Sequence, residues 1–105
     1  MTMDSSTYHQ LADAAIERIT EVIDDSELEL DYDQAGNVIE IECIDGSHII
    51  LNKQEPLHQL WLATKFGGYH YNYVDGQWIC DRSGNELFAF LSESVAKQGG
   101  EQIRF

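Results

Sequence analysis

Glu27-Leu28-Glu29-Leu30-Asp31-Tyr32-Asp33 alternates acidic and apolar residues at every step, the period-two pattern of a half-buried strand. Leu28, Leu30 and Tyr32 are read as facing inward and the four carboxylates as facing out. The stretch before it keeps a different period. From Ser5 to Asp24 the apolar residues Tyr8, Leu11, Ala12, Ala15, Ile16, Ile19, Val22 and Ile23 recur at spacings of three and four. That spacing predicts one face of an amphipathic helix, which Asp4, Ser5 or Ser6 can cap.

Towards the C-terminus, Gly36-Asn37 suits a turn and Val38–Ile44 alternates again, with Ile39, Ile41 and Cys43 on one side. Asp45-Gly46 is a hairpin signal, followed by a strand from His48 to about Asn52. Gln59–Thr64, Tyr69–Val74 and Trp78–Asp81 read as further strands, punctuated by Gly67-Gly68 and Asp75-Gly76. Ser83 is expected to cap a second helix over about Asn85–Gln98, with Leu87, Phe88, Leu91 and Val95 inward. Gly99-Gly100 ends it, and Ile103 and Phe105 anchor an extended tail. The predicted class is α+β: a two-layer α-β sandwich, two helices on one face of an antiparallel sheet of about six strands, the other face open. With no repeat, linker or low-complexity tract, a single domain over residues 1–105 is expected.

Composition narrows the function. The 105 residues are 43% hydrophobic, which supplies one modest core and exceeds what a disordered acidic tail contains. A formal charge of −13 opposes binding to a phosphate backbone, so no nucleic-acid partner is expected. Apolar runs such as Leu60-Trp61-Leu62-Ala63 fall far short of the roughly 20 residues of a membrane span. No apolar segment precedes Arg18 and only Cys43 and Cys80 are present. Neither a signal peptide nor a disulfide scaffold is expected, and the location is read as cytoplasmic.

The charge is concentrated. Residues 1–45 carry 13 acidic groups against Arg18 alone, a net −12, while the remainder is close to neutral. On the helix, His9, Asp13, Glu17 and Glu21 stand four apart and form a stripe, although like charges at that spacing weaken a helix. With Asp24 and Asp25, and with Glu27, Glu29, Asp31 and Asp33 on the following strand, they define an acidic ridge. If the strand lies at the sheet edge beside the helix, the two rows merge into one surface. Oxygen-only ligands suit hard cations such as Mg²⁺, Ca²⁺, Mn²⁺ or Fe³⁺, and a nitrogen from His9 would admit Fe²⁺ or Co²⁺. An exposed ridge cannot wrap an ion, so weak, multi-site binding is expected. A merely solvated face would explain the same acidity.

Other patterns carry less. Asp31, Asp33, Gly36 and Glu42 match part of a calcium loop, but Ala35 replaces a ligand and strands flank the segment where helices are required. His9, His48, His58 and His70 fit no zinc spacing, and no nucleophile–base pair or phosphate-binding glycine loop occurs, so no enzymatic activity is expected. Trp61 alternates outward between Leu60 and Leu62, onto the open sheet face with Asn52 near it and Ile50 and His70 as further candidate neighbours. An exposed tryptophan among polar residues is a protein-contact signature, with cross-strand packing as its plainer explanation.

The run from Asn52-Lys53-Gln54-Glu55-Pro56-Leu57-His58-Gln59-Leu60-Trp61-Leu62-Ala63-Thr64-Lys65, with Gly67-Gly68-Tyr69-His70-Tyr71 and Trp78-Ile79-Cys80-Asp81-Arg82-Ser83-Gly84, closely resembles the bacterial members of the frataxin family. Tyr8-His9, Leu11-Ala12-Asp13 and the acidic ridge extend the resemblance over almost the whole chain. It implies the same α-β sandwich, weak surface binding of Fe²⁺ and Fe³⁺ with competition from other divalent cations, and a role in iron–sulfur cluster assembly. The implied partners are the cysteine desulfurase and the iron–sulfur scaffold protein, whose sulfur delivery bacterial members restrain. The implied iron positions are His9, Glu21, Asp24, Asp25, Glu27, Glu29, Asp31 and Asp33, and the implied partner face is Asn52, Gln54 and Trp61. Glu17 joins the partner contacts as a steering charge. The chain departs from the family pattern at Thr20, where an acid beside Glu21 is usual, and in a shorter connection after Asp25.

The leading expectation is an iron-binding regulator of cluster assembly, with iron supply as a further candidate role, possessing no catalytic residues. A ferroxidase or iron-storage protein is one alternative, requiring a convergent di-iron carboxylate site. An acidic inhibitor that occupies a basic partner surface without metal is another. A monomer is expected, with iron-dependent oligomers as its alternative.

Overall fold

Asp4 starts the first helix by accepting a hydrogen bond from the Thr7 amide at 2.7 Å, one of the orphan donors of a helix N-terminus. The computed structural model describes residues 3–105. In it α1 (Ser5–Ser26) is followed by β1 (Asp31–Ala35), β2 (Val38–Glu42), β3 (His48–Gln54), β4 (Gln59–Thr64), β5 (Gly67–Val74), β6 (Gln77–Cys80) and α2 (Leu87–Gly99), with a short 3-10 turn at Glu55–Leu57. The strands form one six-stranded antiparallel sheet in sequence order, so β1 and β6 are its edges. Among the described residues no helix is long and apolar enough to cross a membrane.

The two layers close on one core. α1 buries Tyr8, Ala12, Ala15, Ile16, Ile19 and Ile23, the face that the helical period marks. Opposite them the sheet buries Ile39 and Ile41 from β2, Ile49 and Leu51 from β3, Leu60 and Leu62 from β4 and Tyr71 from β5, and α2 adds Leu87, Leu91 and Val95. Burying each large aliphatic side chain contributes roughly 2 kcal/mol, which offsets the entropy of ordering the chain. Phe105 is buried at the end of the tail, and Ile103 is half-buried against the same core. The two-layer α+β sandwich with one open sheet face matches the sequence expectation.

Several boundaries differ from that expectation. The first strand begins at Asp31 rather than Glu27, because Glu27 ends α1 in the left-handed conformation (φ 59°). β2 stops at Glu42, opposite Asp31, and Cys43 turns away to bond Ser47, so residues 27–30 have no strand to pair with. Leu30 is nevertheless buried and Leu28 half-buried: the alternation reports burial, and the ladder is missing. Gly67 and Gly68 lie inside β5, opposite Thr64 and Ala63, and the turn falls on Lys65-Phe66. α2 begins two residues later than expected, and its cap is Glu86, whose carboxylate accepts from Phe88 and Ala89 at 2.8 and 3.1 Å. A bridge from Ile79 to Glu86, and a 2.7 Å bond from the Tyr71 hydroxyl to Asn85, hold the chain extended up to that point. Ser83 instead closes the preceding turn, accepting from the Asn85 side chain at 2.8 Å.

Candidate functional site

Strand register decides where the carboxylates go. Ile39 and Ile41 face the helices, so Glu40 between them and Glu42 after them face the open side. Asp33 and Asp31 stand directly across from these two and share their face. His48 completes the patch, with Nδ1 at 2.8 Å from Glu40 and Nε2 at 3.7 Å from Glu42. The β1 carboxylates therefore do not merge with the α1 row on one face. They lie on the opposite face of the same sheet edge, because Tyr32, one residue between them, is the side chain turned towards α1.

The rows meet at one place. Asp24, Glu27, Asp31 and Tyr32 border a shallow cleft where the end of α1 meets the start of β1. Glu29, Asp31 and Glu42 border a second cleft around the strand end. Asp31 belongs to both, so the acidic surface wraps the edge rather than lying flat. The Tyr32 hydroxyl donates to both oxygens of Asp24, 3.0 Å to each. That bond, above all, pushes the tyrosine hydroxyl above its ordinary range, with desolvation and the Asp24 charge adding to it.

Other sequence-predicted ligands are dispersed. His9 lies in the second turn of α1, with Nε2 at 3.4 Å from Glu55. Glu21 is 12 residues further along, about 18 Å at 1.5 Å per residue, so the structure does not bring His9 to the cleft. Asp13, in the same stripe, is held 2.6 Å from the Lys53 ammonium, whose side chain is largely buried. Glu17, Glu21 and Asp25 are exposed on α1. Among the described residues no three His, Cys, Asp or Glu side chains converge in a metal-holding arrangement. Dispersed carboxylates of this kind fit a hard cation held loosely through water, and not an ion in a cage.

The neutral half of the open face holds the second set. Asn52, Trp61 and His70 are consecutive cross-strand partners on β3, β4 and β5, and Gln54 pairs with Gln59 beside them. The Trp61 and His70 rings stack at 4.2 Å with 14° between their planes. The indole N–H donates to Gln59 Oε1 at 2.8 Å, and Gln59 Nε2 donates to Asn72 Oδ1 at 3.1 Å. Sequence reasoning placed Trp61, Asn52 and His70 together but missed Gln59, and it missed Glu40, Glu42 and His48. The outward phase of β2 was the available signal for the two glutamates.

Both cysteines are buried and free. Burial pushes the Cys43 thiol up. At Cys80 burial also acts upward, but hydrogen bonds from Ser83 and the Arg82 amide together outweigh it and hold the thiol below its usual value.

Two helices packed on one face of a six-stranded antiparallel meander are a fold with solved counterparts. The family model of the frataxin-like domain matches residues 1–101. The chain belongs to the frataxin family. Relatives described as iron-sulfur cluster assembly protein CyaY include those of Shewanella putrefaciens, 46% identical, and of Shewanella sp. strain ANA-3, 47% identical, each aligned over 109 residues and the whole of both chains. The solved frataxin of Psychromonas ingrahamii superposes with a TM-score of 0.92 at 44% identity, covering 97% of each chain. Yeast frataxin superposes at 0.70 with 26% identity, covering 88% of this chain and 80% of its own. The family comprises iron–sulfur cluster assembly proteins and not enzymes.

Proposed function

We propose that the chain acts in iron–sulfur cluster assembly in the cytoplasm as an iron-binding regulator of the cysteine desulfurase and its scaffold protein. The names of its full-length relatives support the pathway. One observation carries the iron reading: Asp24, Glu27 and Asp31 border a single cleft at the α1–β1 junction. Fe²⁺ and Fe³⁺ are the cargo, bound weakly there and at the neighbouring Glu21, Asp25, Glu29 and Asp33, with His9 a separate and weaker position. Other divalent cations compete, because carboxylate oxygens discriminate poorly among hard ions. The partner reads two surfaces: the acidic edge, including Glu17, steers a basic patch, and Trp61 with Asn52 and Gln54 anchors it. The free protein is a monomer.

Titration with paramagnetic Fe²⁺ under nitrogen, followed by amide resonance broadening, tests the iron reading. Broadening should begin across residues 21–33, and Asp24→Asn with Asp25→Asn should remove most of it. Broadening centred on Cys80 or His58 would sink the assignment.

A further inference from the structure

We infer that Gln59 and Asn72 are positioning residues for Trp61, and that Trp61 docks through its ring and not through its N–H. The inference rests on the docking role proposed above for the open sheet face. An indole N–H can only donate, so the Gln59 carbonyl oxygen must face it. That fixes the Gln59 amide nitrogen towards Asn72, whose oxygen accepts in turn. The relay has one direction, set by the one group in it that cannot be reversed.

The geometry makes this a clamp. Trp61 and Gln59 lie two residues apart on β4 and point the same way, and Asn72 stands directly across from Gln59 on β5. His70, directly across from Trp61, covers one face of its ring at 4.2 Å. The indole is therefore held at its nitrogen and along one face, while the residue remains half-exposed. A contact side chain held in one orientation before docking loses less entropy on binding. Its only polar group is already satisfied, so a partner pocket that takes it needs an apolar wall and no acceptor for the nitrogen.

Four variants and one spectroscopic signature test the clamp. In the free protein the Trp61 indole N–H should exchange with solvent at least about tenfold more slowly than in Gln59→Leu. Gln59→Glu keeps an acceptor for the indole, and Asn72 can turn over to donate to it, so slow exchange should persist. Against the cysteine desulfurase, Trp61→Ala should weaken binding at least about twentyfold and Trp61→Phe by no more than about fivefold. Gln59→Leu should weaken it by about fivefold and Gln59→Glu by clearly less. Rapid indole exchange in the unaltered protein would overturn the clamp, as would equal losses for Trp61→Phe and Trp61→Ala. Trp61→Ala binding with full affinity would overturn the docking role instead, and the free-protein exchange rates would still decide the clamp.

Discussion

The Tyr32 hydroxyl bonds both carboxylate oxygens of Asp24, tying the last turn of α1 to the edge strand β1. The link joins the helix and strand halves of the acidic surface, and it occupies the carboxylate that borders the cleft. A cation arriving at Asp24 competes with the hydroxyl for the same oxygens. Tyrosinate absorbance should therefore show Tyr32 titrating above the ordinary value, moved there mainly by this bond, where Tyr8 and Tyr71 are raised mainly by burial. Asp24→Asn should return Tyr32 towards normal, and saturating Mg²⁺ should do so partially. A titration unchanged by Asp24→Asn would mean that the bond is absent in solution.

Association and anchoring should separate in kinetics. A net −12 within 45 residues calls for a basic patch, and such encounters slow as salt shortens the Debye length from about 10 Å at 0.1 M to about 3 Å at 1 M. Changing Glu17, Glu21, Asp24 and Asp25 to Lys should lower the association rate with the cysteine desulfurase about tenfold or more and flatten its salt dependence. Trp61→Ala should leave the salt slope in place and speed dissociation. Stopped-flow binding at several ionic strengths distinguishes the two, and an unchanged association rate in the charge-reversed protein would remove the ridge from docking.

Gly99, at the end of α2, packs directly against Cys43, the residue just past β2. A Cβ there would meet the Cys43 Cβ at 2.8 Å, closer than packed carbons sit. Gly99→Ala should cost about 1–3 kcal/mol, a melting temperature lower by roughly 5–15 °C for a domain of this size. Cys43→Ala retains the offending Cβ, so the double variant should not recover. Recovery in that variant, measured by thermal denaturation, would place the conflict on the sulfur instead.

Alkaline pH should destabilise the chain through a buried tyrosine. The Tyr8 hydroxyl is buried and donates to the Gln59 carbonyl at 2.6 Å, and burial pushes its pKa up to about 12. A folded-state pKa raised above the unfolded value near 10 gives stability fully present below pH 10 and lost as pH rises towards 12. Denaturant midpoints should fall across that window. Tyr8→Phe should lower stability at neutral pH by about 1 kcal/mol and flatten the fall. An equally steep fall in Tyr8→Phe would assign the dependence elsewhere, with Tyr71, also raised by burial, the next group to test.

Much of this was legible because it depends on local periodicity. The face of α1 from Tyr8 to Ile23, the inward phase of Ile39, Ile41 and Cys43, and the outward turn of Trp61 all follow from 3.6- and 2-residue repeats. Positions set by a partner strand were not legible. Glu27 to Leu30 alternate as a strand does, yet β2 has already turned away where their partner would lie. Ser83 has the chemistry of a helix cap, but the bridge from Ile79 to Glu86 delays the helix beyond its reach. The placement of Asp31 and Asp33 on the face away from α1 depends on their register with Glu42 and Glu40. Without that register, two acidic rows adjacent in sequence read as one.

Arg18 is the only lysine or arginine in the first 45 residues, and its contacts lie away from the α1–β1 cleft. Its guanidinium lies 4.0 Å from the Phe88 ring centre and donates to the Phe105 carbonyl at 3.1 Å, binding the tail across the two helices. The acidic edge is thereby left to repel itself, and the native state is strained by its own field. Whatever neutralises that edge, a dissolved salt, a loaded cation or a docked basic surface, also tightens the fold beneath it. Rigidity in this molecule is thus a quantity that its surroundings set, highest when the surface is occupied and lowest when it stands bare in dilute buffer.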